Sequence, residues 1–418
     1  TGSVGDPKVA SGSTAYVSGL LNACLPPATP VSIEPLEPPA PDQGIQFEFP
    51  PVVLAPQSEW EGCSASYYDF TDRVPAQFKS ADGTHFYVKS TQIRQDPSSH
   101  HLVIMHSKLG EESLADPSFG TWKCKNGPRI GQTCNPRDFS ACGEGGLCGS
   151  EPKASPACVG YGPPGSEINP AGFGLGTALQ PQVNVRAIDG VYRDIPIKGI
   201  IYWNTHAFNL TGSEHPLHVR MNLAYAEDRR FKEEHLSVTD FLSFATSNLA
   251  PFTRKDVCGS YVVPQNATLI RLSSHTHKHG ERFWINDAAG KIYESFFYSD
   301  PVYKVMDPPR VFDSPDAAQR TLRYCATFNN GLKPDGSPDV DLVMRNSKIP
   351  SYGGTCNPVA CVAGKVGAPC FGAADNARCD SAPGRGDGKC DACTIAFGLT
   401  TEHEMFFMLP DLVMPGTP

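Results

Sequence analysis

Residues 273–280, SSHTHKHG, place histidines at 275, 277 and 279 between two apolar runs, ATLIRL and ERFWI. On an extended strand, side chains two apart share a face, so His275, His277 and His279 would point the same way. Imidazoles aligned in this manner suit a transition metal, but two or three of them do not complete a site. The other candidate ligands lie far away in the chain. His100 and His101 are adjacent in SSHHLVIMHS, His206 stands in YWNTHAFNLTG, and Met405 follows acidic residues in TEHEMFFML. Neighbours on a regular strand face opposite sides, so His100 and His101 could serve one metal only at a bulge or a strand end. Ser98 and Ser99, just before them, suit such an irregularity. Each residue also has an ordinary structural explanation: His206 as a hydrogen-bonded core histidine, Met405 as packing beside Phe406 and Phe407.

The elements that must position these residues read as strands. Gly and Pro number 39 each in 418 residues, a composition that favours short strands joined by turns over helices. Strand-like alternation begins at IQFEFPPVVL and continues through THFYVKSTQIRQ, IKGIIYWNTHAFNL and HPLHVRMNLAYAE, then through the block that holds SSHTHKHG. A single core rarely grows past about 250–300 residues, so two domains are expected. Residues 1–45 read as a Pro-rich arm with Cys24 as an anchor, 46–226 as an N-terminal domain, and 227–418 as a C-terminal domain. The stretch EDRRFKEEHLSVTDFLSF, with a short helix, is the expected junction.

Two cysteine-rich stretches interrupt this pattern, within 119–182 and at 353–394, and both carry Thr-Cys-Asn-Pro. Thiols in Gly/Pro-rich loops would be exposed, and exposed thiols there read as disulfides formed in an oxidising compartment, so the loops are expected to be stapled locally. A zinc ribbon needs two C-x-x-C pairs, and CDAC supplies one. Fifteen cysteines leave an odd one over. The net charge of −9 and the lack of a Lys/Arg-rich run argue against nucleic acid. No apolar run approaches the roughly 18 residues of a membrane helix. With a chain beginning at Thr1, the expectation is an exported, soluble protein, secreted or periplasmic.

In order along the chain, SSHH, NTHAFNLTG with VRMNLAYA, SSHTHKHG, YCATFNNG and TEHEM resemble the copper type II, ascorbate-dependent monooxygenases. That family includes peptidylglycine α-hydroxylating and dopamine β-monooxygenases and bacterial relatives. The match runs over roughly residues 46–418 apart from the two cysteine-rich insertions. The resemblance implies an all-β fold of two β-sandwich, jelly-roll-like domains, with one copper each, facing a solvent-filled cleft. It implies that His100, His101 and His206 hold one copper and that His275, His277 and Met405 hold the other. The activity implied is insertion of one oxygen atom from O2 into a substrate C–H bond, with two electrons from ascorbate or a similar reductant. Met405 would belong to the oxygen-activating site, and the three-histidine site would supply the second electron.

The sequence departs from the peptide-specific members of that family. They place an Arg two residues before His-Thr-His and a Tyr four after the Met, where this chain has Ser273 and Leu409. The expected substrate is therefore a small or modest-sized, less polar molecule rather than a glycine-extended peptide. Phe406 stands where the family has a cysteine bridged to that of the Tyr-Cys motif, so Cys325 needs another partner or stays free. His279 is expected to order the surroundings of the ligands rather than bind copper. The alternatives are a secreted β-sandwich binding protein without oxygen chemistry, or a copper enzyme with a different oxidative outcome.

Overall fold

The computed structural model describes residues 35–337, 395, 397 and 404–414, with short breaks at 108–109, 155–157, 159–160, 165–167, 178–181, 186, 210, 248, 250–252 and 299–300. The Cys24 anchor and the second cysteine-rich stretch lie outside the described residues. The fold is all-β. Among the described residues there is one α-helix, Phe241–Ala245, capped by the Asp240 carboxylate on the Ser243 N–H. The chain divides into two compact units, Thr1–His235 with Val413–Pro418, and Leu236–Leu412.

In the first unit, one sheet runs in the order Gly44–Glu48, Val219–Tyr225, His85–Gln95, Val191–Pro196, all antiparallel. A second sheet has the order Ser58–Asp69, Lys198–Asn209, Ser99–Ser107, Ile168–Thr177, also antiparallel. The two sheets share one core. Phe47 of the first sheet meets Tyr68 of the second edge to face, with ring centroids 5.0 Å apart, and Ile93 and Met221 pack in the same cluster as Ile201 and Trp203. The 198–209 strand is buried along nearly its whole length, because it is covered on both faces. Its odd-numbered residues Ile201, Trp203 and Ala207 join this core, whereas Ile200 and Tyr202 join a second cluster.

That second cluster is built by the first cysteine-rich stretch. Phe119, Trp122, Cys124, Cys134, Cys142, Cys158 and Tyr161 pack against Cys63, Tyr67, Ile200 and Tyr202. Cys124 bonds to Cys142 and Cys134 to Cys148, while Cys158 bonds to Cys63 in the 58–69 strand. Two bridges are thus local, and the third ties the insertion to the sheet. The expectation of cysteines in exposed loops is corrected here. The insertion folds back over the outer face of the sheet, and its half-cystines become part of an apolar core.

In the second unit, one sheet has the order Phe406–Val413, Ala267–Thr276, Lys304–Phe312, and the other Thr253–Val262, Thr321–Asn330, Gly280–Asp287, Gly290–Ser295. Phe406, fully buried, inserts between Phe283, Tyr324 and Phe328 of the facing sheet. Cys325 bonds to Cys258, its partner residue in the antiparallel register of the 253–262 and 321–330 strands.

Two contacts orient the 406–413 strand on the 267–276 strand. Phe407 lies against His275, with ring centroids 6.4 Å apart, and Asp411 pairs with Arg271 at 3.6 Å, so the strands run antiparallel. Both members of the ion pair are buried, and Asp411 also accepts a hydrogen bond from the Tyr303 hydroxyl. Removing one partner of a buried pair leaves the other charge uncompensated. Arg271→Met is expected to destabilise the unit by about 3–5 kcal/mol, and Arg271→Met with Asp411→Leu by much less. Calorimetric melting of the two variants checks this; equal losses would show that packing, not charge, holds the strands.

Candidate functional site

The first group of candidate ligands sits where the 99–107 and 198–209 strands pair. His206 is the Cα partner of His101, and Ala207 is the partner of Ser99, so the register shifts by one at this point. His100 is the extra residue of a β-bulge. A bulge bends a strand and re-aims a side chain, the irregularity the adjacent histidines call for. The His100 and His101 side chains lie outside the described residues. The His206 side chain is 1% exposed and lies 4.9 Å from Phe208, ring to ring. By strand alternation it lies on the face of Ile200 and Tyr202, the face covered further along by the cysteine-rich insertion.

The second group is assembled at the end of the 267–276 strand. His275 lies on that strand, and His277 lies one residue past its end. Their ring centroids are 5.0 Å apart, with the ring planes at 88°. Residues 277–280 then form a turn closed by the Gly280 N–H donating to the His277 carbonyl at 2.9 Å. Gly280 is required there, because a Cβ would run into the side chain of Thr276. The turn corrects the expectation that His279 shares the strand face of His275. His279 is instead buried against the 321–330 strand, where its Nδ1–H donates to the Asn329 carbonyl at 3.2 Å.

Met405 reaches this cluster through its neighbours. It immediately precedes the 406–413 strand, which lies beside the 267–276 strand. Phe406 and Met408 are fully buried, and Phe406 faces the core between the sheets. Alternation therefore puts Phe407 on the opposite face, where it meets His275, and Met405 falls in register with that side. Met405 is 8% exposed.

Glu404 is the residue that the sequence reading left without a role. It is fully buried, and its two carboxylate oxygens accept separate backbone hydrogen bonds, from the His277 N–H at 2.8 Å and the His279 N–H at 2.7 Å. A buried carboxylate survives only with such partners. The available signal was a Glu placed directly before the apolar run MFFML, a costly position unless the side chain is satisfied.

Two ionisable groups here are strongly displaced. Burial pushes the Glu404 carboxyl up to about 8, with the N–H groups of His277, His279 and Met405 pulling the other way. Burial pushes the His275 imidazole down to about 4, so that it is neutral at pH 7 with a lone pair to offer a metal. The raised Glu404 value means that its contribution to stability is complete below the ordinary 4.5 and is lost as pH rises through 8. The lowered His275 value acts oppositely: its contribution is complete above 6.5 and is lost as pH falls through 4. Between 4.5 and 6.5 the two slopes oppose each other; above 6.5 only that of Glu404 remains. The metal-free protein is therefore expected to melt at progressively lower temperature from pH 6.5 to 8. A flat melting profile over that range would contradict a proton held on Glu404.

Among the described residues, Cys124, Cys134 and Cys142 bring their sulfurs within 4.8 Å of one another, the spacing of a metal cluster. All three are in disulfides, which removes their thiolates as ligands.

No family model matches the chain, and no curated protein matches it. Among solved structures the chain is similar to the PBSX exported protein XepA, at 10% identity over 71% of this chain and 89% of that chain. The TM-score of 0.17 is too low for that likeness to support any statement about fold or function.

Proposed function

We propose that the chain is an exported copper-dependent monooxygenase that hydroxylates a small organic substrate. The overall reaction takes a C–H bond, O2, two electrons and two protons to an alcohol and water, with ascorbate or a similar reductant as the electron source. His275, His277 and Met405 would hold one copper, and His100, His101 and His206 the other. The observation that carries this reading is the second cluster: two imidazoles 5.0 Å apart at a strand end, with Glu404 and Phe407, the residues on either side of Met405 and Phe406, against His277 and His275.

The donor set fits copper. Imidazole serves both of its oxidation states, and a thioether is soft and favours Cu(I). Copper would supply the one-electron couple and an open position for dioxygen. The chain's own residues do the rest. Neutral His275 offers its nitrogen without first losing a proton at pH 7, and the turn at 277–280 fixes where His277 begins. Phe407 lines the side of His275, and Leu409 and Ser273 follow it on the same faces of the paired strands. These side chains offer no cation for a carboxylate, and Arg271, next on that face, is buried and paired with Asp411, which supports a weakly polar substrate over a glycine-extended peptide. The four disulfides among the described residues support export. No helix among those residues is long and apolar enough to cross a membrane.

Copper-loaded protein is expected to hold two coppers per chain, to consume O2 only with ascorbate and substrate present, and to release a product heavier by one oxygen atom. Metal analysis, oxygen uptake and mass detection across a panel of apolar substrates test it. Copper bound without ascorbate-dependent oxygen uptake for any of them would favour a metal-binding protein instead.

A further inference from the structure

We infer that Glu404 is the positioning residue of the methionine-containing site, the group that fixes Met405 against His277. This inference rests on the copper reading above and adds to it a residue outside the ligand set.

Three elements must converge for His275, His277 and Met405 to act together: a strand end, the turn that follows it, and a segment more than 120 residues later in the chain, as the 127-residue separation of His277 and Glu404 shows. Side-chain packing places the strand that follows Met405, because Phe406 is locked among Phe283, Tyr324 and Phe328. A parallel bridge joins Glu404 to Phe397, but the link from this segment to the histidine turn has to come from a side chain. Glu404 supplies it. Its Oε2 takes the N–H of His277, and its Oε1 takes the N–H of His279. A carboxyl group that accepts two alternate N–H groups of one turn, one on each oxygen, is held in both position and orientation, which a single hydrogen bond does not achieve.

The residue gripped at one end, His277, and the residue bonded covalently at the other, Met405, are both candidate ligands. A shift of Glu404 therefore changes the separation of the sulfur from the imidazoles directly. His279 takes its place in the same arrangement. Its N–H is held by Glu404, its carbonyl accepts from the Asn329 N–H at 2.9 Å, and its ring donates to the Asn329 carbonyl. The turn is thereby anchored to the 321–330 strand, and Glu404 anchors the methionine segment to the turn.

The test uses the copper-loaded full chain and X-ray absorption of the Cu(I) form, in which a sulfur ligand gives its own scattering signature. Glu404→Gln keeps the side-chain volume but sets an amide NH2 against one of the two N–H groups. It is expected to retain two coppers and a cooperative melt, to lose most of the sulfur scattering, and to lower turnover by about 10–100-fold, the usual cost of removing a partner that orients a ligand. A residue acting through Met405 has nothing left to act on once the sulfur is gone. Glu404→Gln placed in a Met405→Ala background is therefore expected to change turnover less than threefold further, whereas a merely structural role would multiply the losses. If Glu404→Gln does not fold, Glu404→Asp serves, since it keeps both oxygens one methylene short and should weaken the sulfur signal in part. Sulfur scattering and turnover unchanged in the folded variant, or multiplying losses in the double variant, would overturn the assignment of Glu404. No sulfur scattering in the unaltered protein would instead overturn the copper reading of Met405, which the same spectrum distinguishes.

Discussion

Met405→His is expected to keep both coppers and to lose hydroxylation by at least about 100-fold, more than the ~10–100-fold usual for an outer partner. The reason lies in the donor atoms. His275 and His277 already present two imidazoles, and a third nitrogen would convert a soft, mixed donor set into an all-nitrogen one with no preference for Cu(I). The substitution replaces one buried side chain by a polar ring of similar size, while Phe406 keeps the position between the sheets next to it. The fold is therefore expected to tolerate the change, and the thermal melt should move little. Copper analysis beside product yield separates the outcomes. Hydroxylation at the unaltered rate would return Met405 to the role of packing residue and end its assignment to the oxygen site.

How much of this was legible before the structure depends on whether the determinant is local. The all-β character was legible, because alternation in THFYVKSTQIRQ and its like is written within a few residues; Phe86 and Val88 of the 85–95 strand are buried two apart, and the period resumes one residue out of step at Thr91 and Ile93, past the register shift against the 219–225 strand. The irregularity at His100 was legible from two adjacent histidines behind Ser-Ser, and a bulge lies there. Long-range determinants were not. Nothing near Cys325 names Cys258, 67 residues away, and nothing near Glu404 names the N–H groups of His277 and His279. The cysteine-rich insertion misled in another way. Its Gly/Pro content suggested exposed loops, while its few aromatics, Phe119, Trp122 and Tyr161, are what cover the sheet. His279 failed because a two-residue period was extended past the strand's last residue, Thr276, into a turn that Gly280 makes possible. Arg271 and Asp411 lie far apart in sequence, and only the pairing of their strands buries them together.

His206→Ala is expected to fail in a different manner from Met405→His. His206 is buried in the strand paired with the bulge at His100, so its loss removes one of the three proposed ligands of the first unit and leaves the second unit untouched. Copper content should fall from two per chain towards one. The remaining copper should keep the sulfur signature of Met405, whereas Met405→His keeps the metal and loses that signature. Hydroxylation takes two electrons, and a chain with a single copper stores one. Pre-reduced His206→Ala protein should then give at most about a tenth of the unaltered single-turnover yield, corresponding to a loss of about 1.4 kcal/mol or more in the competing steps. Removing the imidazole also opens a void beside Phe208, so a modest fall in melting temperature should accompany the loss of copper. His206→Gln, which fills much of that void without restoring an imidazole, should recover the stability and leave the yield low. If His206→Gln restores the yield together with the melting temperature, His206 supports the fold alone, and the first unit holds no copper that the reaction uses.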